Sequence, residues 1–273
     1  MTGLRVGRDG TLALDFERRG DATVLTGCRF TLPLQVLTPV ALDDAAAVVS
    51  ILNPTGGLVG GDRLHIDVNV GAGAHACLTT PSATKVYRTA GEIAVQEARL
   101  RVGADAILEW VPDHTIPFAG SAFRQSLAVD LAPGARLILV DAFAAGRVAR
   151  EERWHFRMLE SALRVRDAGG WLLLDRFVLG ARAWDGLGFT EGAPYFATMV
   201  VAGSGAGDAR PALAAAASAL GESRAAVGIS RRGAVVVRCL APNAPALTET
   251  MDVLWGTARE ALLGLAAPAL RKG

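Results

Sequence analysis

Histidines, cysteines and a scatter of carboxylates are the residues of this chain best equipped for metal or acid–base chemistry. The four histidines, His65, His75, His114 and His155, form neither HxxxH nor HExxH. His75 and Cys77 stand two apart, as do His65 and Asp67. On a strand each pair shares one face, and both donor sets suit a borderline ion such as nickel or zinc. Two-residue pairs arise often by chance, and a tight site needs three or four convergent ligands. Transient passage of an ion needs fewer. Asp141 follows the apolar run RLILV, and Glu151 and Glu152 follow GRVAR. Facing inward, such acids line a polar channel or catalyse hydrolysis; facing outward, they are solvated or paired with arginine.

Two loops add polar chemistry. NPTGGLVGGDRL, residues 53–64, places four glycines and Asp62 just before an alternating segment. A phosphate loop needs a Lys where Asp62 stands and a helix where a strand follows, so nucleotide binding is excluded. The remaining readings are two tight turns closed by Asp62, or a shaped loop displaying Leu58 and Val59 to a partner. TTPSATKVYRT, residues 79–89, combines Thr79, Thr80, Ser82 and Thr84 with Lys85, Tyr87 and Arg88. A hydroxyl activated by Lys85 needs a base within hydrogen-bond reach; a polar contact surface needs none.

The elements that must carry these residues are mostly strands. RLHIDVNV alternates strictly, with Leu64, Ile66, Val68 and Val70 on one face. VNVGAGAHACL, LRVGADAILEW and VDLAPGARLIL share one form: apolar alternation, a turn with Gly and Ala, then alternation again. The glycines of these turns, Gly73, Gly103 and Gly134, recur at about thirty residues, a weak internal repeat. Each unit is expected to be a hairpin, and a fourth hairpin is expected with its turn at Asp167–Gly170. No convincing helical period occurs before residue 190. Afterwards come a strand at YFATMVVAG, a helix at PALAAAASAL with proline at its first turn, two strands around 231–233, and a last helix. Leu247, Met251, Leu254, Trp255, Ala258 and Leu262 mark one face of that helix. The expected fold is mainly β: a stacked antiparallel or helical β-sheet scaffold over 1–194. A smaller α+β part, β-α-β-β-α over 195–273, packs on it as one continuous unit with about two α-helices.

Composition narrows the function. Apolar residues make up 51% of the 273, enough for a large core. The net charge of +1, with acids and bases interleaved, provides no footprint for nucleic acid. Three scattered cysteines without CxxC argue against a disulfide framework. MTGLRVGRDG lacks an apolar signal core, and no uncharged apolar run approaches a membrane span. A cytoplasmic, non-membrane protein is expected.

NPTGGLVGGDRL, LTTPSATKVYRT, LEWVPDHTIPFAGS and VDAFAAGRVAREE follow one another in an order and spacing that resemble the UreD (also UreH) family of urease accessory proteins. The likeness spans roughly residues 25 to 265, and AVGISRRGAVVVRCL with its final helix also looks like that family. By motif it carries over Asn53, Gly56, Gly57, Gly60, Gly61 and Asp62; Thr79, Thr80, Thr84, Lys85, Tyr87 and Arg88; Glu109, Pro112 and Pro117; and Asp141, Gly146, Arg147 and Glu152. Glu151 stands where the family usually has glycine, and His114 is also atypical. The resemblance implies no enzyme. It implies a scaffold that joins UreF and the GTPase UreG, binds urease apoprotein and helps deliver nickel through an internal passage. Asp62, Asp141 and Glu152, backed by His65 and His75, are the expected transit groups. Ni²⁺ would be a passing cargo, with no tightly bound cofactor. The alternatives are a hydrolase using Lys85 or the pair Asp141/Glu152, and a purely structural β-module.

Overall fold

Period-two alternation makes strands with one apolar face, and the fold stacks those faces in coils. In the computed structural model, residues 7–41, 44–88 and 91–268 are described; Thr89, which closes the hydroxyl-rich loop, and Lys272 lie outside them. β1 (Asp9–Arg19) and β2 (Ala22–Phe30) form a hairpin, and short β3 (Gln35–Val36) and β4 (Val40–Ala41) lead to β5 (Ala46–Leu52). Successive coils follow. The first is β6 (Arg63–Val70), β7 (His75–Thr79) and β8 (Thr84–Val86); the second is β9 (Ala94–Val102), β10 (Ile107–Trp110) and β11 (Thr115–Pro117); the third is β12 (Ala122–Leu131) and β13 (Arg136–Ala144). β14 (Met158–Asp167) and β15 (Gly170–Gly180) close the scaffold as the expected hairpin. β16 (Tyr195–Gly203), α1 (Arg210–Ser218), β17 (Arg224–Ile229), β18 (Val235–Ala241) and α2 (Ala244–Leu263) complete the chain in the expected β-α-β-β-α order.

The three glycine turns are corners, not hairpins. β6 pairs parallel to β9, and β9 parallel to β12, in a seven-stranded sheet ordered β15-β14-β12-β9-β6-β1-β2. β7, β10 and β13 pair parallel in the second, eleven-stranded sheet. Each turn therefore passes the chain from one sheet to the other. The corners stack: Gly73 N donates to Ala104 O over 2.9 Å, and Asp105 N to Pro133 O over 3.1 Å. The third residue of each corner is left-handed, with φ of 66° at Gly73, 54° at Asp105 and 74° at Gly134. Two of the three are glycine, which adopts that region without a Cβ penalty. Alternation reports that one face is buried, not which strand lies alongside; the repeat of about thirty residues was the signal for a solenoid.

The result is three layers. Leu64, Ile66, Val68 and Val70 of β6 point into the core between the sheets, as their alternation requires. A second core lies between the outer face of the larger sheet and the helices, and includes Leu213 of α1 and Leu247, Leu254, Trp255 and Ala258 of α2. α2 begins where Asn243 accepts a hydrogen bond from Ala246 N at 2.8 Å and ends at left-handed Gly264. β16 pairs antiparallel to β13, so the larger sheet runs unbroken past residue 195.

Candidate functional site

The 53–62 loop is stitched to the strand that follows the hydroxyl-rich turn. Asn53 closes it, accepting from Thr55 N (3.1 Å) and donating to Gly57 O (3.1 Å). Leu58 N donates to Lys85 O and Tyr87 N to Leu58 O, each at 2.8 Å. Gly57 is demanded by that approach: a Cβ there would stand 2.5 Å from Lys85 O. Gly56 and Gly61 are left-handed, with φ of 84° and 87°, and Gly60 is buried. Leu58 is core, so display of both Leu58 and Val59 does not hold; Val59 alone is exposed. Asp62 is buried, and its carboxylate accepts from Arg8 N (2.9 Å) and Val59 N (2.8 Å). It closes the turn.

Hydroxyls of the second loop tie coil to coil. Thr79 Oγ1 donates to Val111 O at 2.9 Å, and Thr80 Oγ1 accepts from Asp113 N at 2.8 Å. Thr84 N donates to His114 O at 3.0 Å. Lys85 and Arg88 are exposed at the surface. The Tyr87 ring meets Phe118 edge-on at 5.2 Å, and the Arg147 guanidinium lies 4.4 Å over the same Phe118. Arg147 donates through Nε and Nη2 to the two carboxylate oxygens of Glu152, which also accepts from Ala119 N at 3.2 Å. The Arg147 hydrogen bond, above all, holds the Glu152 carboxyl below its ordinary range. Glu151, its neighbour, is exposed and left-handed at φ 59°.

Between the sheets, the apolar core is interrupted by a polar band. Gln96, Gln125 and Ser161 stand in register on β9, β12 and β14. Facing them, Asp141, Thr198 and Arg238 stand in register on β13, β16 and β18. The two rows join where Gln125 Nε2 (2.6 Å) and Ser161 Oγ (2.8 Å) donate to the two carboxylate oxygens of Asp141. Two cavities meet at this point. The smaller, about 70 Å³, is lined by Asn53, Thr79, Thr80, Thr84, Gln125 and Asp141 among others. The larger, about 570 Å³, is lined by Asp141, Thr198, Arg238 and a wall that includes Phe143, Phe177 and Phe196. Asp141 lines both. Burial pushes its carboxyl up to about 6, against the Ser161 and Gln125 hydrogen bonds that lower it.

Of the five expected transit groups, Asp141 is the one that lines the cavities. His65 is half-exposed on the outward face of β6, 3.5 Å from Glu97. His75 is buried on the helix side, where its Nε2 lies 2.6 Å from Glu109 Oε1. Glu109 is fully buried and also receives Trp255 Nε1 at 2.6 Å. Arg259 Nε stands 3.2 Å from Glu109 Oε2 in ion-pair contact, outside hydrogen-bond geometry, while its Nη2 reaches Asp44 at 2.6 Å. That cluster ties α2 to the sheet. Among the described residues, no group of three or more His, Cys, Asp or Glu side chains stands ready to hold a metal ion. Sequence reasoning missed Gln96, Gln125, Ser161, Thr198 and Arg238. Their signal was present: each is a polar residue at an inward position of an otherwise apolar strand face.

Fold and site together define a β-solenoid scaffold with a polar band between its sheets. The family model for the UreD urease accessory protein matches residues 8–273. The chain is 39% identical to the urease accessory protein UreD of Deinococcus radiodurans over 268 residues, 97% of this chain and 95% of the relative. It is 36% identical to those of Alkalilimnicola ehrlichii (94% and 88% covered) and Haloarcula marismortui (97% and 91% covered). The chain belongs to the UreD family of urease accessory proteins. Among the described residues, no helix is long and apolar enough to cross a membrane.

Proposed function

We propose that this chain serves urease maturation in the cytoplasm as a non-enzymatic scaffold, working with UreF, the GTPase UreG and urease apoprotein, and that nickel passes along its inter-sheet polar band. The observation that carries this reading is the position of Asp141, which lines both cavities and joins the two polar rows. A route for Ni²⁺ must replace hydration without trapping the ion. Amide, hydroxyl and single-carboxylate oxygens are weaker nickel partners than imidazole or thiolate, so they suit passage better than storage. Asp62 and Glu152 act on the route indirectly, by holding the loops beside it.

The test is nickel-limited activation of urease apoprotein by the assembled accessory complex carrying Asp141→Asn. The amide keeps the shape, still accepts from Gln125 Nε2 through its one oxygen, and turns its NH2 toward Ser161 Oγ as a donor, but removes the charge. Activation is expected to slow by at least about tenfold, the factor that 1.4 kcal/mol of lost cation attraction produces. An unchanged rate, with the complex still assembling, overturns the reading.

A further inference from the structure

The motif residues that the route leaves unused meet on one surface. Segments 84–88, 117–121 and 147–157 come from successive coils and lie side by side. Tyr87 Oη donates to Gly56 O at 3.1 Å, its ring meets Phe118, and the Arg147 guanidinium covers that same Phe118. The Arg88 stem runs along Gly120, where a Cβ would stand 3.2 Å from Arg88 Cγ. Gly120 N donates to His155 O at 2.8 Å, Arg157 N to Ser121 O at 2.7 Å, and Arg157 Nη2 to Gly91 O at 3.0 Å. Lys85, Arg88, Arg150, His155 and Arg157 are exposed along this ridge, and Arg147 is half-exposed. The side chains of Lys85, Arg88 and Arg150 have no hydrogen-bond or ion-pair partner among the described residues. The neighbouring acids are Glu92, Glu151 and Glu152, and Glu152 is committed to Arg147. On a chain whose net charge is +1, this is a local concentration of positive charge.

Resting on the scaffold reading, we propose that this ridge is the docking surface for an acidic face of urease apoprotein. Like charges held side by side repel one another, and carboxylates arriving from a partner relieve that repulsion. Tyr87, Phe118 and Arg147 form one stack among the cations, and aromatic and arginine side chains supply much of the energy of protein interfaces. Glu92 and Glu151, exposed between the cations, repel phosphate, so a protein fits this surface better than a nucleic acid. The matched family is described by its service to urease, which makes the apoprotein the occupant. Thr84, the neighbour of Lys85, lines the smaller cavity, so a partner seated on the ridge lies beside the polar band.

The experiment is surface plasmon resonance of the full chain in its accessory complex over immobilised urease apoprotein, at low and high salt, with thermal melts confirming the fold of each variant. Lys85→Glu, Arg88→Glu and Arg150→Glu together are expected to slow association at least about tenfold at low salt and to flatten its salt dependence. Lys85→Arg, Arg88→Lys and Arg150→Lys keep the charges and are expected to stay within about twofold. Replacement of the same three residues by Gln, expected to slow association at least about threefold, serves where the reversed protein does not fold. Arg99, Arg101 and Arg164 are exposed on the outer face of the smaller sheet. Their reversal to Glu is expected to leave association within about twofold, which separates a docking site from an effect of net charge. Association unchanged by reversal of the ridge, or slowed equally by reversal of the other three arginines, overturns the proposal. So does loss of UreF or UreG in place of urease, or RNA held by the ridge while urease association is unaltered. The two readings fail separately. Urease apoprotein that does not associate with the unsubstituted complex sinks the scaffold reading; association that persists through reversal of the ridge sinks only the docking surface.

Discussion

Trp255 Nε1 and Glu109 Oε2, 146 positions apart in the chain, meet in a 2.6 Å hydrogen bond. The same carboxylate faces His75 and Arg259, both buried. One glutamate therefore fastens the last helix to the second coil. Burying an unpaired charge is costly, so the cluster is stable only when complete. Glu109→Gln is expected to destabilise the fold by about 3–5 kcal/mol, because the fully buried Arg259 keeps only Asp44 as a charge partner. Trp255→Phe, which removes one donor, is expected to cost about 1–3 kcal/mol. Denaturant unfolding monitored by circular dichroism measures both; a Glu109→Gln loss below that of Trp255→Phe would contradict this account.

Asp141 carries the opposite kind of cost. Its carboxyl is raised from 3.8 to about 6 by burial, so the folded state binds its proton more tightly than the unfolded chain does. Stability from this group is therefore present below pH 3.8 and is lost as pH rises through about 6. Asp141→Asn removes that loss. The variant is expected to be more stable at pH 7.5 by at most about 3 kcal/mol, with the difference vanishing near pH 4. Unfolding measured across pH 4–8 checks the slope. A variant less stable at pH 7.5 would mean that the carboxylate is paired more strongly than its neighbours indicate.

Glu151 occupies the left-handed region at φ 59°. A side chain there costs about 1–2 kcal/mol in backbone strain. Glycine relieves it but gives the unfolded chain more freedom. Glu151→Gly is expected to stabilise by up to about 1 kcal/mol, and Glu151→Val to destabilise by more than about 1 kcal/mol. Glu152 behaves differently, since it holds Arg147 and Ala119 N. Thermal melts of the two variants beside the unsubstituted protein rank these effects.

Asp62 closes its loop with two hydrogen bonds to backbone N–H groups. Asp62→Ala leaves both donors unsatisfied and is expected to cost about 1–3 kcal/mol. Nickel delivery per folded molecule is expected to stay within about twofold, since the side chain is committed to Arg8 and Val59 rather than to the cavities. A tenfold fall in delivery by fully folded Asp62→Ala protein would place this carboxylate in the route.

Local rules account for much of what was legible beforehand. Alternation in RLHIDVNV marks a half-buried strand, and the three-and-four spacing from Leu247 to Trp255 marks a helix face, because each pattern depends on one element's own geometry. Gly57 and Asp62 were readable as turn residues for the same reason. The four family motifs carried the likeness that the comparisons bear out. Pairing partners were not legible: Gly73 and Gly134 look alike whether the chain folds back or passes to a second sheet. Only the stacked fold brings Asp141 to Gln125 and Ser161, and Glu109 to Trp255. Those contacts join strands and helices far apart in sequence, and no local pattern records the distance between them. Cavity and charge burial arise from that convergence, so tertiary structure alone decided which carboxylate stands inside.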